Sequence, residues 1–180
     1  MDSICDDFSL NEEQDHAFCI VANHIVLPNS DPLKMYIGGM GGTGKSQVLN
    51  AISKFLEKRN EAYCFIIVAP TGTAAALLSS STYHSVFGIN DISSDAQSSK
   101  TLIQVQTRLQ GVDYIFLDEV SMLSCHDMYR ISAQLCQVMN NPTTPFGGFN
   151  MPFAGDFAQL PPPLGGELVS LYSCTKSLKL

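Results

Sequence analysis

Residues 39–46 read G-M-G-G-T-G-K-S, and this octet restricts the fold more than any other feature of the chain. It is a G-x-x-x-x-G-K-[ST] loop, with an apolar stretch at 34–37 before it and an amphipathic stretch at 45–58 after it. Glycines at these positions let backbone N–H groups turn inward around phosphate oxygens. The N-terminus of the helix that follows adds about half a positive charge to the same spot. Gly39, Gly41, Gly42, Thr43, Gly44, Lys45 and Ser46 are therefore candidate nucleotide-binding residues. Lys45 is placed to reach the β- and γ-phosphates, and Ser46 to ligate Mg2+. A loop of this kind works only between a strand and a helix, so the chain must begin an α/β fold there.

The rest of the pattern agrees. A helix is expected to start near Ser9 or Asn11, where Glu12 or Gln14 stands three residues on as in a capping box. Pro28, Asn29, Ser30, Asp31 and Pro32 break the chain. Residues 63–69 (YCFIIVA) and 114–119 (YIFLDE) are continuous apolar runs of strand length, as strands buried on two faces require. Short or amphipathic helical stretches are expected at 73–78, before Gln110 and at 126–139, with polar loops at 90–100 and 141–148 and a fourth strand at 151–155. Strands alternating with helices predict an α/β fold: a P-loop NTPase domain with a mainly parallel central sheet flanked by helices.

Two strand ends carry further chemistry. Asp118 and Glu119 close the run YIFLDE, and an acidic pair at the end of a buried strand is costly unless a positive group sits beside it. A nucleotide's Mg2+ supplies that charge, with Asp118 holding the metal and Glu119 activating the attacking water. Gln159 follows the fourth strand and is either a γ-phosphate contact or a polar loop residue.

Charge and cysteine usage bound the partners. The chain has 180 residues, with 17 Asp+Glu against 10 Lys+Arg, a net −7. A basic surplus, the usual mark of bulk nucleic-acid binding, is absent. Six of the acids stand in the first 15 residues, and the remaining 165 hold 11 acids and 10 bases, so the balance there is −1. A nucleic-acid face therefore stays open, gripping by hydroxyls, backbone amides and stacking by Tyr83, with a shallow salt dependence. No window of 18 apolar residues exists and the N-terminus is acidic, so neither a membrane span nor a signal or transit peptide is expected. The six cysteines form no C-x-x-C pair, and the histidines fall at no ligand spacing with them; free thiols of an intracellular protein are expected, without a zinc site.

Five stretches then recur in one order: LNEEQ at 10–14, GGMGGTGKS at 38–46, APTGTAA at 69–75 with STYHS at 81–85, DEVSML at 118–123, and FAGDFAQLPP at 153–162. Together they resemble the Pif-type (petite integration frequency) ATP-dependent DNA helicases of superfamily one. The wording is closest to the helicases of Helitron-like transposons. The resemblance implies a RecA-like domain and ATP hydrolysis coupled to 5′–3′ translocation and duplex unwinding, serving repair, recombination and telomere maintenance. It implies that Gln14 reads adenine, although that residue also stands where a capping-box residue would. It implies that Pro70, Thr71, Gly72 and Thr73, and then Thr82, Tyr83, His84 and Ser85, touch the backbone of single-stranded DNA. Helix capping is the other reading of Thr71 and Thr73, and a core position that of His84. Gln159 matches the residue coupling γ-phosphate state to strand grip, and with Glu119 and Lys45 completes the expected catalytic set.

The expected organisation is an acidic tail at 1–8, a RecA-like domain at 9–164 and a truncated or irregular tail at 165–180. The resemblance implies a second RecA-like domain carrying an arginine finger as a partner missing from this chain, since Arg59, Arg108 and Arg130 match no motif. The expected competence of the chain alone is Mg-ATP binding with weak hydrolysis. The expected location is nuclear, with mitochondria as the alternative. Other readings are an ATPase of another class, such as a clamp-loader-like one, or a non-catalytic ATP- and strand-binding remnant.

Overall fold

The computed structural model describes residues 2–27, 31–77, 80–89, 99–159, 161–163 and 166–172. Their order is α1 (Asp2–Asp7), α2 (Glu12–Val26), β1 (Lys34–Gly38), α3 (Lys45–Lys58), β2 (Phe65–Ala69), α4 (Gly72–Leu77), β3 (Ser81–Thr82), α5 (Tyr83–Phe87), α6 (Ser99–Arg108), β4 (Tyr114–Leu117), α7 (Cys125–Val138) and β5 (Met151–Gly155). Short 3-10 turns are interspersed, including Val120–Met122 and Gly166–Val169.

The described strands form one parallel sheet in the order β1-β5-β4-β2-β3. The register pairs Gly38 with Gly155 and Val68 with Leu117, so the strand ends reach one edge together. β5 stands between β1 and β4. The phosphate loop after β1 and the acidic pair after β4 therefore face each other across the end of β5.

Strand alternation divides the core into two layers, one on each face of the sheet. Tyr114 and Phe116 of β4 pack with Phe18, Val21, Leu49, Ile52 and Ile4 from α1–α3. Ile115 and Leu117 pack on the other face with Phe87, Val105, Ile131 and Leu135 from α5–α7. Phe18, Leu49, Leu117 and Ile131 are wholly buried. α2 begins with the expected capping box: Asn11 accepts from the Gln14 N–H, and the Gln14 side chain accepts from the Asn11 N–H.

Several expectations need correction. The acidic tail at 1–8 contains helix α1, whose Ile4 is 2% exposed and belongs to the core. Charge made this segment read as solvated, but one apolar face suffices to dock it. The start of the stretch expected as a truncated or irregular tail at 165–180 makes contacts with the domain. Ser170 bridges Ser124 in antiparallel fashion, and Tyr172 stacks on Phe157 with ring centroids 5.5 Å apart. The residues at 173–180 lie outside the described part, as do 90–98 and 78. The strand expected to run to Glu119 ends at Leu117, which leaves both carboxylates beyond the sheet. The run at 63–69 starts with a 3-10 turn, and its strand begins at Phe65.

Candidate functional site

Helix α3 opens on Gly44 at φ +79, and Gly42 lies at φ +81, so both occupy left-handed backbone that glycine adopts without strain. Inside this loop the Lys45 ammonium donates to the carbonyls of Gly39 (2.7 Å) and Met40 (3.2 Å). The loop's own oxygens thus hold the lysine at the mouth of its N–H cradle. Thr43 closes the turn, its N–H and hydroxyl both donating to Met40 O. Ser46 is exposed on the first turn of α3.

Gln14 reaches this loop from α2. Its Nε2 donates to Thr43 O at 2.8 Å while its Oε1 completes the capping box. The capping and loop-contacting roles therefore coexist, one on each side of the amide. A recess of about 260 Å³ opens beside it, lined by Asn11, Gln14, Gly38, Thr43, Lys45 and Val48 among others.

The acidic pair sits across β5. Asp118 is 9% exposed. Burial pushes its carboxyl above the ordinary value, while a backbone hydrogen bond from Glu119 and the charge of Lys45 pull the other way. Glu119 is also raised, first by burial, then by Asp118, with Lys45 opposing and Asp156 adding. Glu119 holds left-handed backbone (φ 50, ψ 40), a conformation that costs a side-chain-bearing residue roughly 1–2 kcal/mol. It turns the chain sharply out of β4 into the 3-10 turn Val120–Met122. Gly155 makes room for that turn, because a Cβ there would lie 2.9 Å from Val120 Cγ1 and 3.1 Å from Ser121 N.

Sequence reasoning missed Asp156. It is 7% exposed, accepts from the Gly41 N–H through Oδ2 (2.9 Å) and accepts from the Ala158 N–H through Oδ1 (2.9 Å). The available signal was its position, an acid directly after a buried strand, as with Asp118. Gln159 Nε2 lies against Gly41 so closely that a Cβ on that glycine would collide with it. The structure thus brings together Gln14, the phosphate loop, Asp118, Glu119, Asp156 and Gln159.

The residues expected to touch DNA lie farther along the same edge. A cleft of about 470 Å³ is lined by Pro70, Thr71, His84, Ser124, His126 and Arg130, with Tyr83, Pro162 and Pro163 among its other walls. Thr71 Oγ1 accepts from Ala74 N–H and Thr82 Oγ1 from Ser85 N–H, so both cap short helices as well. Gly72 and Thr73 are exposed. The stacking role expected for Tyr83 needs correction: its ring is 3% exposed and packs in the core, with His84 stacked on it at 3.9 Å between centroids. His126 and Arg130 of α7 enter the cleft although no motif singled them out.

A parallel sheet with a glycine-rich phosphate loop on its first strand, and an acidic pair two strands away at the same edge, defines a P-loop nucleotide-binding domain of RecA-like fold. The comparisons narrow the class. The family model for PIF1-like helicase matches residues 9–170, and the chain belongs to that family. It is 31% identical over 132 residues to the ATP-dependent DNA helicase Pif1 of Bdellovibrio bacteriovorus, covering 71% of this chain and 29% of that protein. The Danio rerio helicase PIF1 is 30% identical over 136 residues, covering 74% of this chain and 20% of the relative. The crystal structure of Pif1 helicase from Candida albicans superposes with a TM-score of 0.68 at 27% identity, over 85% of this chain and 34% of that one. Bacteroides Pif1 in complex with ADP-AlF3 and single-stranded DNA superposes at 0.63 with 28% identity, over 85% and 33%. The chain thus spans at most about a third of the length of these relatives.

Proposed function

We propose that this chain supplies the nucleotide-binding motor domain of an ATP-dependent DNA helicase that moves 5′–3′ along single-stranded DNA. The observation that carries the reading is the shared strand-end edge. It holds the phosphate loop, the acidic pair and Gln159 together, and the cleft of Thr71 and His84 beside them. The complex of the Bacteroides relative with ADP-AlF3 and single-stranded DNA supports both ligands.

In this reading the adenine enters the recess beside Gln14, and the loop N–H groups and Lys45 hold the phosphates. The donor set fits Mg2+. Ser46 and Asp118 are hard oxygen ligands, and Asp118 is a buried carboxylate that gains from a nearby cation. Among the described residues no cluster of three His, Cys, Asp or Glu could hold a metal alone, which suits a site completed by phosphate oxygens. Bound there, Mg2+ would offset phosphate charge. Glu119 takes a proton from the water that attacks the terminal phosphate; burial and the neighbouring Asp118 raise its carboxyl above the ordinary value, which makes it a stronger base. Gln159 contacts the terminal phosphate and relays its presence to the strand-binding edge. Translocation needs a second RecA-like domain that closes on the first.

Single-turnover hydrolysis of ATP tests the proposal. Glu119→Gln is expected to keep nucleotide binding and lower the hydrolysis step by about 10²-fold or more. Hydrolysis unchanged by that substitution would overturn the assignment.

A further inference from the structure

We infer that Asp156 is a positioning residue through which a terminal phosphate in the loop moves Gln159. The inference rests on the nucleotide reading above and goes beyond it: Asp156 stands inside the stretch FAGDFAQLPP, in which only Gln159 is given a role there.

The geometry is specific. The Asp156 carboxylate occupies the Gly41 N–H, a donor of the phosphate loop itself. Its second oxygen occupies the Ala158 N–H, and its carbonyl accepts from the Gln159 N–H at 3.0 Å. Residues 156–159 are thus tied into one small turn, fastened to the phosphate loop by one charge-assisted hydrogen bond. The Gln159 amide lies against Gly41, so the turn and the loop already touch at the point that would move.

A carboxylate is a poor permanent neighbour for a polyphosphate. Asp156 is 7% exposed, so water screens it little, and its charge already raises Glu119 and Tyr36. The amides at Gly44, Lys45 and Ser46 stand at the start of α3, where a helix N-terminus would hold the inner phosphates. Gly41 lies against the Gln159 amide, and in this proposal its N–H is the donor that a terminal phosphate takes. A terminal phosphate and Asp156 therefore compete for one N–H. When the phosphate takes it, a buried carboxylate oxygen loses its donor, an arrangement that is costly unless the group shifts. Since Ala158 and Gln159 are bonded to Asp156, they shift with it. On this proposal a diphosphate leaves the Gly41 N–H to Asp156 and the turn in place.

Two measurements on the 180-residue chain test this. Hydrogen exchange of wild-type protein should change in the peptide spanning 153–159 with AMP-PNP and remain unchanged with ADP. In equilibrium titrations, Asp156→Asn should tighten AMP-PNP about tenfold, since a competing charge is gone, and leave ADP within about twofold. Gln159→Ala, which keeps the Asp156 bonds, should retain the exchange response around Asp156. Equal responses of that peptide to ADP and AMP-PNP, or equal weakening of both nucleotides by Asp156→Asn, would overturn the coupling while leaving the nucleotide site standing. Failure of wild-type protein to bind either nucleotide would overturn both.

Discussion

Gln14 makes two bonds with one amide, and the two can be separated. Its Oε1 completes the capping box of α2, and its Nε2 donates to Thr43 O of the phosphate loop. Gln14→Glu keeps the acceptor and removes the donor, since Glu also serves at this capping position. Its thermal stability is expected to match wild type, while its preference for adenine over guanine nucleotides falls. Gln14→Ala is expected to lose about 1 kcal/mol as well, measured by urea unfolding. Asp118 gives a prediction with a sign. Its folded pKa is raised, so the folded state binds more protons than the unfolded one, and stability falls as pH rises through the ordinary carboxylate range toward the folded value. Asp118→Asn should therefore raise Tm at neutral pH, read by thermal unfolding. The gain should vanish once pH drops below the carboxylate's unfolded value. The residues named by motif were legible because their chemistry demands a fixed spacing. Asp156 was not, since its role depends on β5 lying next to β1, a neighbour relation that no local pattern encodes.

At the scale of elements, the turn after β4 is seated on β5 through a glycine. Gly155→Ala would set a Cβ 2.9 Å from Val120 Cγ1 and against two backbone nitrogens. The backbone atoms cannot yield as a side chain could. A loss of about 1–3 kcal/mol is expected in denaturant unfolding, together with displacement of Glu119 and slower hydrolysis. Unchanged stability would show that the turn is not held against β5. Helices α2, α3 and α7 and strands β1, β2, β4 and β5 were all legible from apolar periodicity and caps, within one or two residues for most ends. α1, β3 and α5 were not. Each is six residues or shorter, and a segment so short forms through packing: Ile4 docks α1, and Tyr83, Val86 and Phe87 dock α5.

For the whole molecule, the charge balance bears on the strand binding proposed above. The cleft proposed to take the strand gathers hydroxyls, backbone and proline surface, with Arg130 and His126 beside Asp127. Few phosphates are then neutralised, and log Kd for single-stranded DNA should change by about one or two per tenfold change in salt. Arg130→Ala should reduce that slope by about one. A steep slope in wild type would place the strand elsewhere. The family and the α/β class were legible in the sequence because five motifs stand in order on strand ends. The strand order was not, and it is the order that sets the phosphate loop opposite Asp118 and Glu119 across β5.

The most direct measurement is calorimetric titration of ADP and AMP-PNP, with Mg2+, into the 180-residue chain and its Lys45→Ala variant. Saturable one-to-one binding by wild type, weakened about 10²-fold or more in a variant of unchanged Tm, is the expected result. Equal binding by both proteins, or none by a folded wild type, would contradict a nucleotide site at the loop of Gly39 to Ser46.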